Sequence, residues 1–104
     1  MGGVSVKKWD VYMADVPFED LPESKVRPVV VLDEETKSVD CLKMTSHPPR
    51  AGEYALQYWK EAGLLKQTTV RLSKRLELPS EAFRKHIGTL HPVDIVEIEK
   101  RLSV

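Results

Sequence analysis

The run Val29-Val30-Val31-Leu32 constrains the fold more than any other stretch of this 104-residue chain. Four consecutive apolar residues leave no polar face, so they read as a strand buried on both sides. Directly before it stand Arg27 and Pro28. Pro28 fixes its own φ and lacks an N–H, which suits the first residue of a strand or an edge. It also drives Arg27 out of the helical region into extended backbone. A permanently charged guanidinium is therefore held at the lip of a core strand. From these residues alone two readings stand: Arg27 pairs with an acid of the preceding loop, or it belongs to a site.

The flanking segments build a β-rich chain around this strand. "WDVYMAD" alternates, with Trp9, Val11 and Met13 on one face. "VPFEDLPESK" reads as an exposed loop, and "EETK", 34–37, as a tight polar turn. "SVDCLKMTS" is a third strand, with Val39, Cys41, Lys43 and Thr45 on one side and Leu42 and Met44 on the other. "HPPRAGE" is a second loop, "YALQYW" a short strand, and "KEAGLL" a helical turn ended by Gly63. In "TTVRLSKRLEL", Val70, Leu72, Leu76 and Leu78 are expected on one face, with Arg71 and Arg75 on the other. "PSEAF" reads as a single helical turn and "KHIGTL" as a short strand. The last segment is a helix, with His91 at its cap, Pro92 at its first position and Asp94 in its first turn. Ile95, Ile98 and Leu102 form its apolar stripe. The expected architecture is mainly β (α+β): a small, strongly curved β-barrel with a C-terminal helix. Such a barrel fills its interior with side chains, so function must sit outside it or in its loops.

The length predicts one domain over 1–104, with residues 1–8 as a flexible N-terminus. The single cysteine, Cys41, excludes an intrachain disulfide framework and suits a reducing cytoplasm. His47, His86 and His91 are too scattered for a metal-ligand pattern, so no metal and no cofactor is expected. No apolar run approaches the length that spans a bilayer, which argues against a membrane partner. The net charge is zero, yet it is unevenly spread. Residues 1–42 hold five Lys/Arg against nine acids, and residues 43–86 hold nine against four. A basic middle between acidic ends is compatible with a footprint for phosphates, and equally with strands that expose mixed charges.

The opening "WDVYMADVPFED", then "KVRPVVVL", a hairpin ending in "KMTS", and a late "IGTL" before a helix resemble the MazF/PemK toxin family of type II toxin–antitoxin systems. The likeness runs from about Trp9 to Leu102, and "YWKEAGLLKQTTVRL" is similar to the PemK branch. The resemblance implies an SH3-like barrel with an inserted hairpin and a C-terminal helix. It further implies a cytoplasmic homodimer that cleaves single-stranded RNA without metal and is held inactive by an antitoxin protein. DNA would be met only indirectly, through that antitoxin.

Carried over residue by residue, the resemblance assigns catalysis to Arg27 and Thr45. Cleavage would use the RNA's own 2′-OH as nucleophile, leaving a 2′,3′-cyclic phosphate and a 5′-OH. A fixed guanidinium matches two phosphoryl oxygens at once, and Pro28 would hold it in place beforehand. His47, two residues beyond Thr45, is a candidate base. Lys43, Ser46, Arg50, Arg71 and Lys74 are candidate RNA contacts. Two departures from the pattern stand out. Trp9 occupies a place where the family commonly has glycine, and Glu19, Asp20 and Glu23 stand in the loop next to Arg27. The acids favour the alternative reading, a weakly or non-catalytic binding module that holds an antitoxin or another protein.

Overall fold

The computed structural model describes residues 6–18, 20–35 and 38–103. Six strands and one helix follow one another: β1 (Asp10–Pro17), β2 (Ser24–Glu34), β3 (Ser38–Thr45), β4 (Glu53–Ala55), β5 (Thr69–Pro79), β6 (Phe83–Thr89) and α1 (Pro92–Leu102). They form one antiparallel sheet in the order β4-β5-β3-β2-β1-β6, with a single 3-10 turn, Ser80–Ala82, between β5 and β6. The curved, mainly β architecture with a C-terminal helix is as expected.

Val29–Leu32 is buried on both faces, and two apolar clusters make this so. Val30 and Leu32 pack with Val11, Leu42, Met44, Val70 and Ile98 of α1; Val29 and Val31 pack with Tyr12, Ala14, Cys41, Leu78 and Phe83. β3 divides as its alternation predicts, Leu42 and Met44 to the first cluster, Val39 and Cys41 to the second. Burial pushes the Cys41 thiol up to about 12, with the Asp40 carboxylate adding to the rise. That thiol is not a nucleophile at neutral pH. On α1, Ile98 is fully buried and Ile95 and Leu102 pack beside it, the expected stripe.

β5 departs from its expected pattern. Between the pairs Leu42↔Arg75 and Met44↔Val70, β3 advances two residues and β5 five. The extra three residues on β5 form a bulge, and an odd insertion reverses which side chains face which side. Val70 and Leu72 therefore join the first cluster, while Leu76 and Leu78 join the second. The four do not share a face. Arg71 and Arg75 are separated in the same way.

The segment after β4 also differs. Strand structure stops at Ala55, and residues 58–64 turn through hydrogen bonds from Ala62 N–H to Tyr58 O (3.2 Å), Gly63 N–H to Lys60 O (3.0 Å) and Leu64 N–H to Trp59 O (3.1 Å). Gly63 ends the turn with φ at +90°. A Cβ there would lie 2.4 Å from the Ile87 carbonyl oxygen, and one on Gly88 would lie 2.3 Å from that of Ala62. The glycine of "IGTL" is thus required by backbone packed on backbone.

At the N-terminus, Val6 is buried in the second cluster, so the fold takes in part of the stretch expected to be flexible. Residues 1–5 lie outside the described residues, as do Thr36 and Lys37 of the expected polar turn. Trp9 has φ at +75°, backbone that glycine adopts without strain. Its N–H donates to the Val31 carbonyl (2.7 Å), its carbonyl accepts from the Leu90 N–H (3.0 Å), and the residue is 9% exposed and packs in the first cluster. Left-handed backbone costs roughly 1–2 kcal/mol for a non-glycine residue. Burying an aromatic side chain of roughly 150–250 Å² at about 25 cal/mol per Å² offsets it.

Asp94 ties α1 to the loop after β4. Its carboxylate is fully buried and accepts from the Tyr54 hydroxyl (2.6 Å), the Gln57 N–H (3.0 Å) and the Tyr58 N–H (2.9 Å). It also lies in the first turn of α1, where the helix dipole favours negative charge. His91 Nδ1 accepts from the Val93 N–H (3.1 Å), and its ring stacks on Tyr58 at 3.9 Å. Asp94→Ala strands three donors and is expected to lower stability by about 2–4 kcal/mol, read as a shift of the urea midpoint. A change below about 0.5 kcal/mol would show that the three bonds carry no net stabilisation.

Candidate functional site

The β2–β3 ladder runs from Glu34↔Val39 to Val29↔Lys43 and ends where Pro28, without an N–H, begins. The β1–β2 ladder continues past that point, through Met13↔Pro28 and Ala14↔Arg27 to Pro17↔Ser24. Arg27 is therefore held extended on one side and open on the other. Continuing the β2–β3 register by two residues sets Arg27 opposite Thr45. Thr45 in turn pairs with Thr69 of β5. Both Arg27 and Thr45 line a cleft of about 370 Å³ at the end of the second cluster.

Seven of the candidate residues meet in this cleft: Arg27, Lys43, Thr45, Ser46, His47, Arg71 and Lys74. Arg50 does not line it; its N–H instead donates to Glu53 Oε1 (3.0 Å) from the exposed loop after β3. Lys25 and Phe18 line the cleft and were not among the candidates. The signal for Lys25 was its spacing of two from Arg27, which puts both on one face of a strand. Phe18 stands in a loop, where periodicity says nothing. Among the described residues, no carboxylate lines the cleft and no acid forms an ion pair with Arg27. Asp20 and Glu23 stay outside the lining, and Glu19 lies outside the described residues.

The wall that carries Thr45 and His47 is fixed by short bonds. The His47 N–H donates to the Thr45 hydroxyl (3.3 Å), and the Thr69 hydroxyl donates to the His47 carbonyl (2.8 Å). Thr69 is fully buried, so its hydroxyl has an obligatory partner. Arg71 is held from behind, its Nε donating to Glu53 Oε2 (3.0 Å). First the Arg50 N–H and then, against the cost of burial, the Arg71 guanidinium hold the Glu53 carboxyl below the usual carboxylate range.

Elsewhere, the aromatic side chains of Tyr54, Tyr58 and Trp59 are taken up in the Asp94 bond, the His91 stack and the first cluster. His86 lies 3.6 Å from Asp10, whose carboxylate also accepts from the Thr89 hydroxyl (2.9 Å). Arg75 lines a different cleft with Trp9, Asp33 and Asp40. Asp33, Glu35 and Asp40 bring carboxylate oxygens within 4.8 Å of one another, and none of them lines the basic cleft. Among the described residues, no helix is long and apolar enough to cross a membrane.

What the basic cleft can do chemically is bind a polyanion and stabilise charge that develops at its centre. Residues 7–104 match the family model described as PemK-like, MazF-like toxin of type II toxin-antitoxin system. A search of curated protein sequences finds no significant match. Among solved structures, an endoribonuclease in complex with its cognate antitoxin from a mycobacterial species is similar at TM-score 0.76 and 14% identity, covering 95% of this chain and 92% of that one. An endoribonuclease from a mycobacterial species is similar at TM-score 0.71 and 15% identity, covering 92% and 86%. The Mycobacterium tuberculosis toxin MazF-mt6 is similar at TM-score 0.68 and 19% identity, covering 90% and 92%. At such identities the likeness is one of fold.

Thr69→Val keeps the volume and removes the donor to His47. It is expected to cost about 1 kcal/mol of stability, and to speed hydrogen exchange at the His47 amide. Unchanged exchange there would show that the turn is held by other contacts.

Proposed function

Because the chain belongs to the PemK-like, MazF-like toxin family of type II toxin–antitoxin systems, we propose that it is an endoribonuclease that cuts single-stranded RNA in the basic cleft and is silenced by an antitoxin that covers it. The observation that carries this reading is the meeting of Arg27 and Thr45 in one open cleft whose lining, among the described residues, has five Lys/Arg side chains and a histidine and no carboxylate.

Phosphates on either side of the cut bind Lys25, Lys43, Arg71 and Lys74. The RNA 2′-OH adjacent to the scissile phosphate attacks phosphorus, the bond to the 5′-oxygen breaks, and that oxygen takes up a proton. Negative charge gathers on the non-bridging oxygens as attack proceeds. Arg27, held extended before the reaction begins, meets it with two parallel N–H donors. The Thr45 hydroxyl, one strand away, donates to the same phosphate. His47 supplies the base for the 2′-OH, since its imidazole nitrogen can accept a proton and it lines the cleft two residues from Thr45. Charge stabilisation by Arg27 replaces a metal, so the reaction needs none. Single-stranded RNA is the substrate class because cleavage needs the 2′-OH and an unstacked backbone.

The antitoxin reading rests on the same lining: five cations, with Phe18 and Leu21 exposed in the β1–β2 loop and Val26 exposed on β2, suit a chain segment of acidic and apolar residues. A two-fold homodimer would join two such clefts into a groove longer than one 104-residue copy offers. Equilibrium sedimentation at tens of micromolar is expected to show the dimer, and a monomer alone would remove this part of the proposal.

Purified protein should cut single-stranded RNA in EDTA, spare DNA and leave a 5′-OH on the downstream fragment. Arg27→Ala should slow cleavage by about 10²–10³-fold, the range for loss of one preorganised donor. Arg27→Lys should recover little, because a point charge does not reproduce the planar fork. Full activity in Arg27→Ala would refute the site. Absence of cleavage by the wild type, with tight binding of an antitoxin, would make the protein a binding module instead.

A further inference from the structure

Glu53 is an acid placed directly behind a basic cleft. It sits on the edge strand β4, opposite Arg71 in the β4–β5 register. Its side chain is 9% exposed, and it does not line the cleft. Simple electrostatics makes such a residue harmful to RNA binding, since it cancels one of the cleft's cations. Its geometry argues the opposite. Oε2 accepts from Arg71 Nε at 3.0 Å, and Oε1 accepts from the Arg50 N–H at 3.0 Å. The backbone bond fixes the carboxylate, and the fixed carboxylate holds the guanidinium by its Nε edge. That grip leaves the two terminal nitrogens of Arg71 for the cleft, where one-third of the side chain remains exposed. A free arginine carries about 2 kcal/mol of rotamer entropy that binding must freeze. One already gripped at Nε meets a phosphate with its fork oriented.

We propose that Glu53 is a positioning residue for RNA binding, acting through Arg71, and that the cleft binds RNA more tightly with this negative charge than without it. The inference rests on the reading of the cleft as an RNA site. It adds a specific role for a residue outside the lining, and it runs against the sign that net charge predicts. Arg50 enters through its backbone N–H, which explains how a residue that does not reach the cleft still contributes to it.

The test uses a labelled, uniformly 2′-O-methylated RNA oligonucleotide pool, which lacks the free 2′-OH and cannot be cut. Binding is measured at several salt concentrations with wild-type protein, Glu53→Gln, Arg71→Ala and the double variant. Glu53→Gln is expected to weaken binding by about 3–10-fold although it makes the protein more positive. In the Arg71→Ala background the same change should have no further effect. In the free protein, the Arg71 Nε–H resonance should be sharp and protected in the wild type and exchange-broadened in Glu53→Gln. Thermal unfolding of the variant serves to separate loss of the fold from loss of the grip. If Glu53→Gln fails to fold, the Arg71 Nε–H resonance of the wild type alone decides: rapid exchange with water would overturn the proposal. Equal or tighter RNA binding by folded Glu53→Gln would overturn it, as would a full effect without Arg71. A wild-type protein that binds no RNA would overturn both this inference and the reading beneath it.

Discussion

Strands β1 to β3 carry apolar side chains on both faces, and everything else in the fold is arranged to cover both. One layer cannot do this in a chain of this length, because the described residues offer six strands and one α-helix to work with. The solution is to let the flanking strands change sides. The three-residue bulge in β5 sends Val70 and Leu72 to one cluster and Leu76 and Leu78 to the other. Register shifts between β1 and β6 do the same for Ile87 and Phe83. Helix α1 and the turn at 58–64 then close the first cluster, held there by Asp94.

The cleft follows from this arrangement. Where β5 passes from one face to the other, Arg71 is delivered to the side that holds Thr45 and Arg27, and Arg75 to the opposite side. Pro28 ends the β2–β3 ladder at the same level, so the sheet opens there. An opening in a sheet leaves backbone and side-chain groups that must be satisfied. Thr69, Glu53 and the Thr45 hydroxyl satisfy them, and in doing so they fix the residues that face the cleft. The rigid placement that electrostatic catalysis demands comes from the same bonds that make the opening tolerable.

The charge pattern shows why segments of sequence are poor guides to surfaces. The basic middle of the chain supplies Lys43, Arg71 and Lys74, yet Lys25 and Arg27 come from the acidic first part. Arg84, also from the basic part, is bonded to Asp15 at 2.7 Å. Asp20 and Glu23, near Arg27 in sequence, do not line the cleft, because side chains in a loop project where the loop carries them, not where their neighbours in sequence point.

Much was legible in the residues themselves. Periodicity alone assigns Val39 and Cys41 to one face of β3 and Leu42 and Met44 to the other, because strand geometry has a strict period of two. Pro28 before a valine run specifies an extended arginine at a strand's beginning, since φ and the missing donor are local properties. Pro92 and Ile98 mark the last helix for similarly local reasons. The reversal in β5 was not legible, because a bulge is decided by how two strands match in length across the sheet, and nothing in "TTVRLSKRLEL" announces it. Nor was the partner of Asp94, 40 residues from Tyr54, or the pairing of Gly63 and Gly88 with backbone far along the chain. The sequence by itself determined the elements, the identity of the buried faces and the residues with chemistry to offer. Only the tertiary structure decided which of those residues share a cleft, because long-range register is set by core packing and sheet curvature and not by the local propensities that a sequence displays.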